Sequence, residues 1–183
     1  MKAPGRIETA RLVLATPVMA DATAIFERYA SDAEVTRFVG WPRHQSVSDT
    51  EKFLEFSGSE WARWPAGPYL IRSRLDGRLL GSTGLGFEAA DRAITGYVLA
   101  RDAWGLGYAT EALRTMIDVA RSAGVVKLSA LCHPQHRASS HVLEKCGFSR
   151  DRSRTIHAEF PNLAPGVVQD VDRFLITLEA PPR

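Results

Sequence analysis

Two glycines, Gly105 and Gly107, stand one residue apart in "ARDAWGLGYATEALRTMIDVARSAG", residues 100–124, just ahead of a run with helical periodicity. A helix N-terminus exposes backbone N–H groups without intrahelical partners and carries partial positive charge. Glycines before it let a ligand approach the backbone closely, and the combination suits a phosphate or diphosphate. A Walker loop is excluded, because no Gly-Lys-Ser/Thr follows. A dinucleotide fingerprint is disfavoured: its third glycine would fall at Thr110, and no strand-borne acid stands about twenty residues on. By itself Gly-x-Gly before a helix reads equally as a tight turn.

A second chemistry-bearing stretch, "CHPQHRASSHVLEKCGF", spans residues 132–148. Cys132, His133, His136 and His141 invite a metal reading. Pro134 breaks the segment, the groups straddle a strand end and a helix, and paired zinc spacings are absent, so no metal is expected. Cys146, at a helix end before Gly147, reads as core rather than as an acyl-carrying nucleophile. Ser139 reads as a cap of the helix at 137–148.

The elements that must position these groups follow from periodicity. "RLVLA" (11–15) reads as a first strand and 20–30 as a helix. Residues 31–45, with Gly40, Trp41 and Pro42, read as a loop. "SDTE" (48–51) fits a capping box, with Ser48 as N-cap and Glu51 reaching back, opening a helix through Trp61. Residues 67–75 and 79–88 flank "DGR", a hairpin turn, and 92–100 is a third strand candidate. The helix after the glycine loop should bury Ala109, Leu113, Met116, Ile117 and Ala120 and stop at Gly124. Residues 125–132 form a buried strand, 160–166 a loop and 170–179 a last strand. Strands and helices alternate only in the second half, which predicts a mixed sheet.

The chain has 183 residues, 45% hydrophobic and 24% charged, with a formal charge of +2. That composition supports one globular domain, 1–183. The small charge makes no case for nucleic acid or a membrane surface. No apolar run reaches the roughly 20 residues of a membrane span, and the N-terminus lacks a signal-peptide apolar region. Two cysteines are too few for a disulfide scaffold and read as reduced thiols in a cytoplasmic protein.

"ETARLVL" (8–14), "GWP" (40–42), "LLGSTGL" (79–85), "WGLGYATEAL" (104–113), "HPQHRASSHVLEKCGF" (133–148) and "FPNLAP" (160–165) occur in an order that resembles the GNAT superfamily of N-acetyltransferases, closest to its RimJ/RimL-like branch of ribosomal-protein N-terminal acetyltransferases. The resemblance implies an α+β (α/β) fold: a mixed, mostly antiparallel sheet, splayed around coenzyme A and flanked by about four helices. It implies acetyl-CoA as cosubstrate and a primary amine as acceptor, either a protein N-terminus or a small molecule, in a monomer or homodimer. The pantetheine arm would pair with backbone near Leu99 and Arg101. The diphosphate would sit on Gly105, Leu106, Gly107, Tyr108 and Ala109, with Trp104 covering the loop. His136 stands where the family has Asn, Leu143 where many members have a catalytic Tyr, Ile94 where the branch has Glu, and Asp102 where many have Arg or Gln. A carboxylate at Asp102 should turn outward.

By the same resemblance Ser139 is the proton donor to the leaving thiolate. Glu159 is the first candidate for the base. His157, His44 and Glu88 are alternatives, as is a bound water. Trp41, His44 and Glu88 are the acceptor-side residues, in walls built from 38–46 and 157–166. The alternative reading is a non-catalytic acyl-CoA-binding or regulatory module of the same fold.

Overall fold

Alternating burial along residues 68–73 layers the molecule. Tyr69 and Ile71 join one hydrophobic cluster, and Leu70 joins another on the opposite face, as the period of two along a strand requires. The computed structural model describes residues 2–178. Its strands are β1 (Arg6–Glu8), β2 (Leu12–Ala15), β3 (Pro68–Ser73), β4 (Leu79–Ala89), β5 (Arg92–Leu99), β6 (Lys127–Cys132), β7 (Ser149–Glu159) and β8 (Val168–Thr177). They form one sheet in the order β1-β2-β3-β4-β5-β6-β8-β7. The helices are α1 (Ala22–Ile25), α2 (Val47–Arg63), α3 (Tyr108–Ser122) and α4 (Arg137–Lys145).

The first cluster joins Leu113, Met116 and Ala120 of α3 and Leu143 of α4 to Leu12, Leu14, Leu80, Leu128 and Phe174. On the other face Ile25 of α1 and Leu54 of α2 pack with Leu70, Leu79 and Ala100. The expected α+β architecture, with a mixed and mostly antiparallel sheet, is what forms. Among the described residues, no helix is long and apolar enough to cross a membrane.

One junction departs from the antiparallel pattern. β5 and β6 run parallel, and they pair only at Arg92↔Lys127, Ala93↔Leu128 and Ile94↔Ser129. Beyond Ile94, β5 stays on β4 as far as Gly81↔Leu99. β6 stays on β8 as far as Cys132↔Asp172. The two strands therefore part, and a gap opens in the middle of the sheet toward their C-terminal ends.

Several sequence expectations need correction. Strands β1 and β7 were not predicted. They are the two sheet edges, and β7 reads "SRDRSRTIHAE", a polar edge strand with no apolar alternation to detect. The second helix starts at Val47, not after Ser48. The N-cap is Ser46, which makes no side-chain cap bond, so the expected box at Ser48 and Glu51 does not form; instead the Asp49 carboxylate accepts the N–H of Gln45, just ahead of the cap, at 3.0 Å. The helix at 20–30 is a 3-10 turn, one α turn and then a π turn over Phe26–Ala30. Its wide last turn closes where the Phe26 carbonyl accepts both the N–H (3.1 Å) and the hydroxyl (2.7 Å) of Ser31. The strand expected at 125–132 begins at Lys127, and the predicted end of the last strand, residue 179, lies outside the described residues.

The long loop between α1 and α2 is fastened by one side chain from the opposite end of the chain. Asn162 accepts the Arg43 N–H at 2.8 Å and donates to the carbonyls of Thr36 (2.7 Å) and Trp41 (2.9 Å). Asn162→Ala should lower unfolding free energy by about 1–3 kcal/mol, the range for leaving part-buried polar groups unpaired. Urea denaturation measures the loss, and amide exchange at Arg43 should accelerate with it.

Candidate active site

The glycine loop is a shaped backbone turn. Gly105 and Gly107 have φ of +72° and +79°, in the left-handed region that favours glycine. Gly107 is the N-cap of α3 and no side chain caps it. Among the described residues the N–H groups of Gly105, Leu106 and Gly107 have no backbone acceptor, and those of Tyr108 and Ala109 are orphans of the first helical turn. A Cβ built at Gly105 would meet nothing within 4 Å. Five consecutive bare N–H groups beside open space at a helix N-terminus fit a diphosphate.

A motif from the start of the chain aims this turn. Arg11 donates from Nη1 to the Leu106 carbonyl at 2.8 Å and from Nε to Glu111 at 2.7 Å. Carbonyl and N–H point in opposite directions across a trans peptide. Holding the Leu106 carbonyl on Arg11 therefore turns the Gly107 N–H the other way. Glu111, in the first turn of α3, also accepts the Thr9 hydroxyl (2.6 Å) and the Arg11 N–H (2.9 Å). Burial alone would raise the Glu111 carboxyl. The Thr9 and Arg11 donors outweigh it and hold the carboxyl below its ordinary value.

The gap between β5 and β6 is lined by backbone. Ala100 donates to Leu80 at 2.8 Å across the β4–β5 ladder. Antiparallel alternation then directs the N–H and C=O groups of Tyr97 and Leu99 away from β4, into the gap. Trp104 donates its indole N–H to the Leu99 carbonyl at 2.7 Å, so this ring joins the strand end to the glycine loop. Arg101 does not turn its side chain to the gap. It clamps Asp32 in a bidentate pair (2.7 and 2.8 Å) and pairs with Glu34. Asp102 is held by Arg28 and Arg78, each at 2.8 Å, and the Arg28 bond keeps its carboxyl below the usual range. That is the outward-turned carboxylate expected from the sequence.

Across the gap, Ser139 lies in the first turn of α4. Its hydroxyl is 2.9 Å from the hydroxyl of Tyr97, which also reaches the Ser139 carbonyl at 3.1 Å. Burial pushes the Tyr97 phenol up, so it stays protonated at neutral pH. Sequence reasoning missed Tyr97. Its only local signal is a place two residues before Leu99, on the same side of β5. Leu143, at the family's tyrosine position, is sealed in the core.

Two histidines ahead of Ser139 differ in kind. His133 is buried, accepts the Gln135 N–H on Nδ1 at 3.1 Å and faces Gln169 through Nε2 at 3.4 Å, which assigns the proton to Nε2. His136 is half-buried, stacks on Phe38 at 4.8 Å and has no hydrogen-bond partner on its ring among the described residues. Burial, then His133, lowers its pKa, so the ring is neutral. Phe160 packs edge-on against His133 at 4.8 Å. Cys132 Sγ faces the carbonyls of His133 and His136, each at 3.6 Å, rather than converging with the rings on one point.

The acceptor-side candidates scatter more. Trp41 and His44 lie together, 5.1 Å between ring centroids, and His44 Nδ1 is bound to Thr50 at 2.8 Å. Glu159, at the end of β7, accepts the Gly166 N–H at 2.8 Å, and its backbone carbonyl would lie 3.9 Å from a Cβ at Gly40. It thus stands where the tail loop meets the loop at 38–46. Glu88 is exposed near the β4–β5 turn, at the other end of the ladder from Leu99, and the structure does not bring it to the group. His157 pairs across strands with Asp170 at 3.0 Å on the exposed edge.

Comparison with known proteins agrees with this geometry. A family model described as an acetyltransferase (GNAT) domain matches residues 11–149. The N-acetyltransferase YoaA of Bacillus subtilis is 28% identical over 150 residues, covering 79% of this chain and 83% of that one. RimL, a ribosomal L7/L12 α-N-protein acetyltransferase solved with coenzyme A, superimposes with a TM-score of 0.83 at 20% identity, over 96% of this chain and 99% of its own. Spermidine N-acetyltransferase from Vibrio cholerae, solved with CoA and spermine, gives 0.75 at 17% identity, over 92% and 96%.

The lowered Glu111 carboxyl sets a pH dependence. A depressed folded pKa contributes stability above the unfolded value, near 4.5, and that stability is lost as pH falls through the folded value. Glu111→Gln should therefore cost about 1–2 kcal/mol at pH 7, the scale of a hydrogen bond to a charged group. Its unfolding free energy should also fall less steeply than wild type below pH 4.5. Denaturant titrations across that range read both effects.

Proposed function

The chain belongs to the family of acetyltransferase (GNAT) domains, and from that premise we propose that it is an acetyl-CoA-dependent N-acetyltransferase acting on a primary amine by direct attack in a ternary complex. The acceptor is a protein N-terminal α-amine or a small-molecule amine. One observation carries the reading: β5 and β6 part after Ile94 and Ser129, and the gap leads to bare N–H groups at the start of α3.

Bound acetyl-CoA supplies the activated acetyl group. Gly105, Leu106, Gly107, Tyr108 and Ala109 hold its diphosphate through backbone N–H groups. Tyr97 and Leu99 offer backbone groups to the pantetheine arm in the manner of an added strand, and their N–H groups are the donors available to a developing oxyanion. Trp104 and Arg101 keep that strand end in place. Ser139 gives a proton to the departing sulfur, and the protonated Tyr97 hydroxyl, hydrogen-bonded to the Ser139 oxygen, stabilises the charge left there. Glu159 takes the proton from the attacking amine once the Gly166 contact gives way. Neutral His136 borders the same wall, in the family's asparagine position.

The experiment is a thermal-shift titration with acetyl-CoA, followed by free-thiol release against a panel of amines and short peptides. A saturable shift with release is the expected result. A shift without release from any amine would favour a binding module, and no shift would remove the cosubstrate. Three variants assign the roles. Gly105→Glu should weaken acetyl-CoA binding at least tenfold by filling the open side of the turn with a like charge. Ser139→Ala should lower kcat about 10²-fold, the lower end for a positioned acid, with acetyl-CoA affinity unchanged. Tyr97→Phe should lower kcat less, and adding it to Ser139→Ala should cost little more, a non-additivity that a merely structural tyrosine would not show.

A further inference from the structure

Most arginines around the site are engaged: Arg11 by Glu111, Arg28 and Arg78 by Asp102, Arg72 by Asp21, and Arg101 by Asp32 and Glu34. Arg43 is different. Its main chain is tied down, the N–H to Asn162 at 2.8 Å and the carbonyl to Gln45 Nε2 at 3.1 Å. The residue is half-buried, and its guanidinium has no ion pair or hydrogen-bond acceptor among the described residues.

Arg43 lines a pocket of about 280 Å³ with Ala33, Thr36, Gln45, Pro161 and Asn162. The other polar groups of that wall are already used. The Thr36 hydroxyl donates to the Asp32 carbonyl at 2.7 Å, and both ends of the Asn162 amide hold backbone. The Asp32 carboxylate is taken by Arg101. What remains free is the Arg43 fork and the side-chain oxygen of Gln45. Two short stretches of chain link the pocket to the reacting end of the site. Pro161 and Asn162 follow Phe160, which packs on His133. Thr36 lies two residues before Phe38, which stacks on His136 three residues ahead of Ser139.

Resting on the acetyltransferase reading, we infer that Arg43 selects acceptors that carry an oxyanion, a carboxylate first, on the same molecule as the amine. A guanidinium stays charged at every working pH and matches a carboxylate with two parallel N–H bonds. The pocket is near the small end of ligand sites, which start around 300 Å³. It has room for an acidic side chain or a small amino acid, not for a large ligand. A polyamine, whose remaining nitrogens are cationic, meets repulsion there.

The test compares Ala-Glu-Ala, Ala-Gln-Ala, Ala-Lys-Ala, free glutamate and spermidine. Binding without acetyl-CoA is read from the Arg43 Nε–H resonance, and kcat/KM from thiol release. Ala-Glu-Ala or glutamate should bind at least tenfold tighter than the neutral peptide, and whichever binds tighter identifies a peptide or a small-molecule acceptor. R43Q should erase the preference while acetyl-CoA affinity holds, and R43E should reverse it toward Ala-Lys-Ala. Equal binding of the three peptides, a preference for spermidine, or an acidic preference that survives R43Q overturns the inference. Acidic ligands that bind at Arg43 yet are never acetylated would leave this site standing and sink the acetyltransferase reading instead.

Discussion

The parting of β5 from β6 is the constraint on which the rest of the molecule depends. Two parallel strands in the middle of a sheet normally satisfy each other along their whole length. Here the pairing stops at Ile94↔Ser129, and the backbone of Tyr97 and Leu99 is left without a strand partner on that side. Buried backbone groups left unpaired are costly. Only a ligand with its own amides, or ordered water, can fill such a gap without destabilising the sheet. The strands survive the separation because each keeps its other neighbour, β4 for β5 and β8 for β6. The core on either side closes over them.

Around the open end of that gap the chain invests charge rather than apolar surface. Arg11 fixes the glycine turn, Arg28 and Arg78 fix Asp102, and Arg101 fixes the loop that carries Asp32 and Glu34. Exposed pairs of this sort contribute little to global stability, typically under about 1 kcal/mol each. Their effect is geometric. A turn with two left-handed residues has few internal bonds to hold it, so its orientation is set from outside. The Arg11 contact with Leu106 does this by fixing one peptide plane.

Local chemistry was legible in the sequence and distant pairing was not. Gly105 and Gly107 announced a turn before a helix, and α3 does start at Tyr108; that both glycines have positive φ is what the structure adds. The outward turn of Asp102 followed from its charge together with the diphosphate position that the family resemblance implies. Tyr97 could not be found that way, because its partner Ser139 is 42 residues away on another element. Arg11 and Glu111 are 100 residues apart, and nothing local to either marks the bond. The edge strands escaped because an edge buries little, so its sequence is free to be polar. Glu88 was proposed for its type, and only the register shows that it sits at the wrong end of β4.

The two histidines illustrate how the fold separates structure from function within four residues. His133 has both ring nitrogens committed and is enclosed by Phe38 and Phe160, so it acts as a wall. His136 shares the Phe38 ring but keeps its nitrogens free. A neutral imidazole can accept or donate where an asparagine amide could, yet it adds a titratable proton that an amide lacks. Burial holds that ring neutral. Beyond these rings Arg43 lines the pocket with Thr36, Pro161 and Asn162, while Arg37 lies over the Phe38 ring itself at 5.2 Å, so the cations here sit on the loop at 31–46 and not on the histidines.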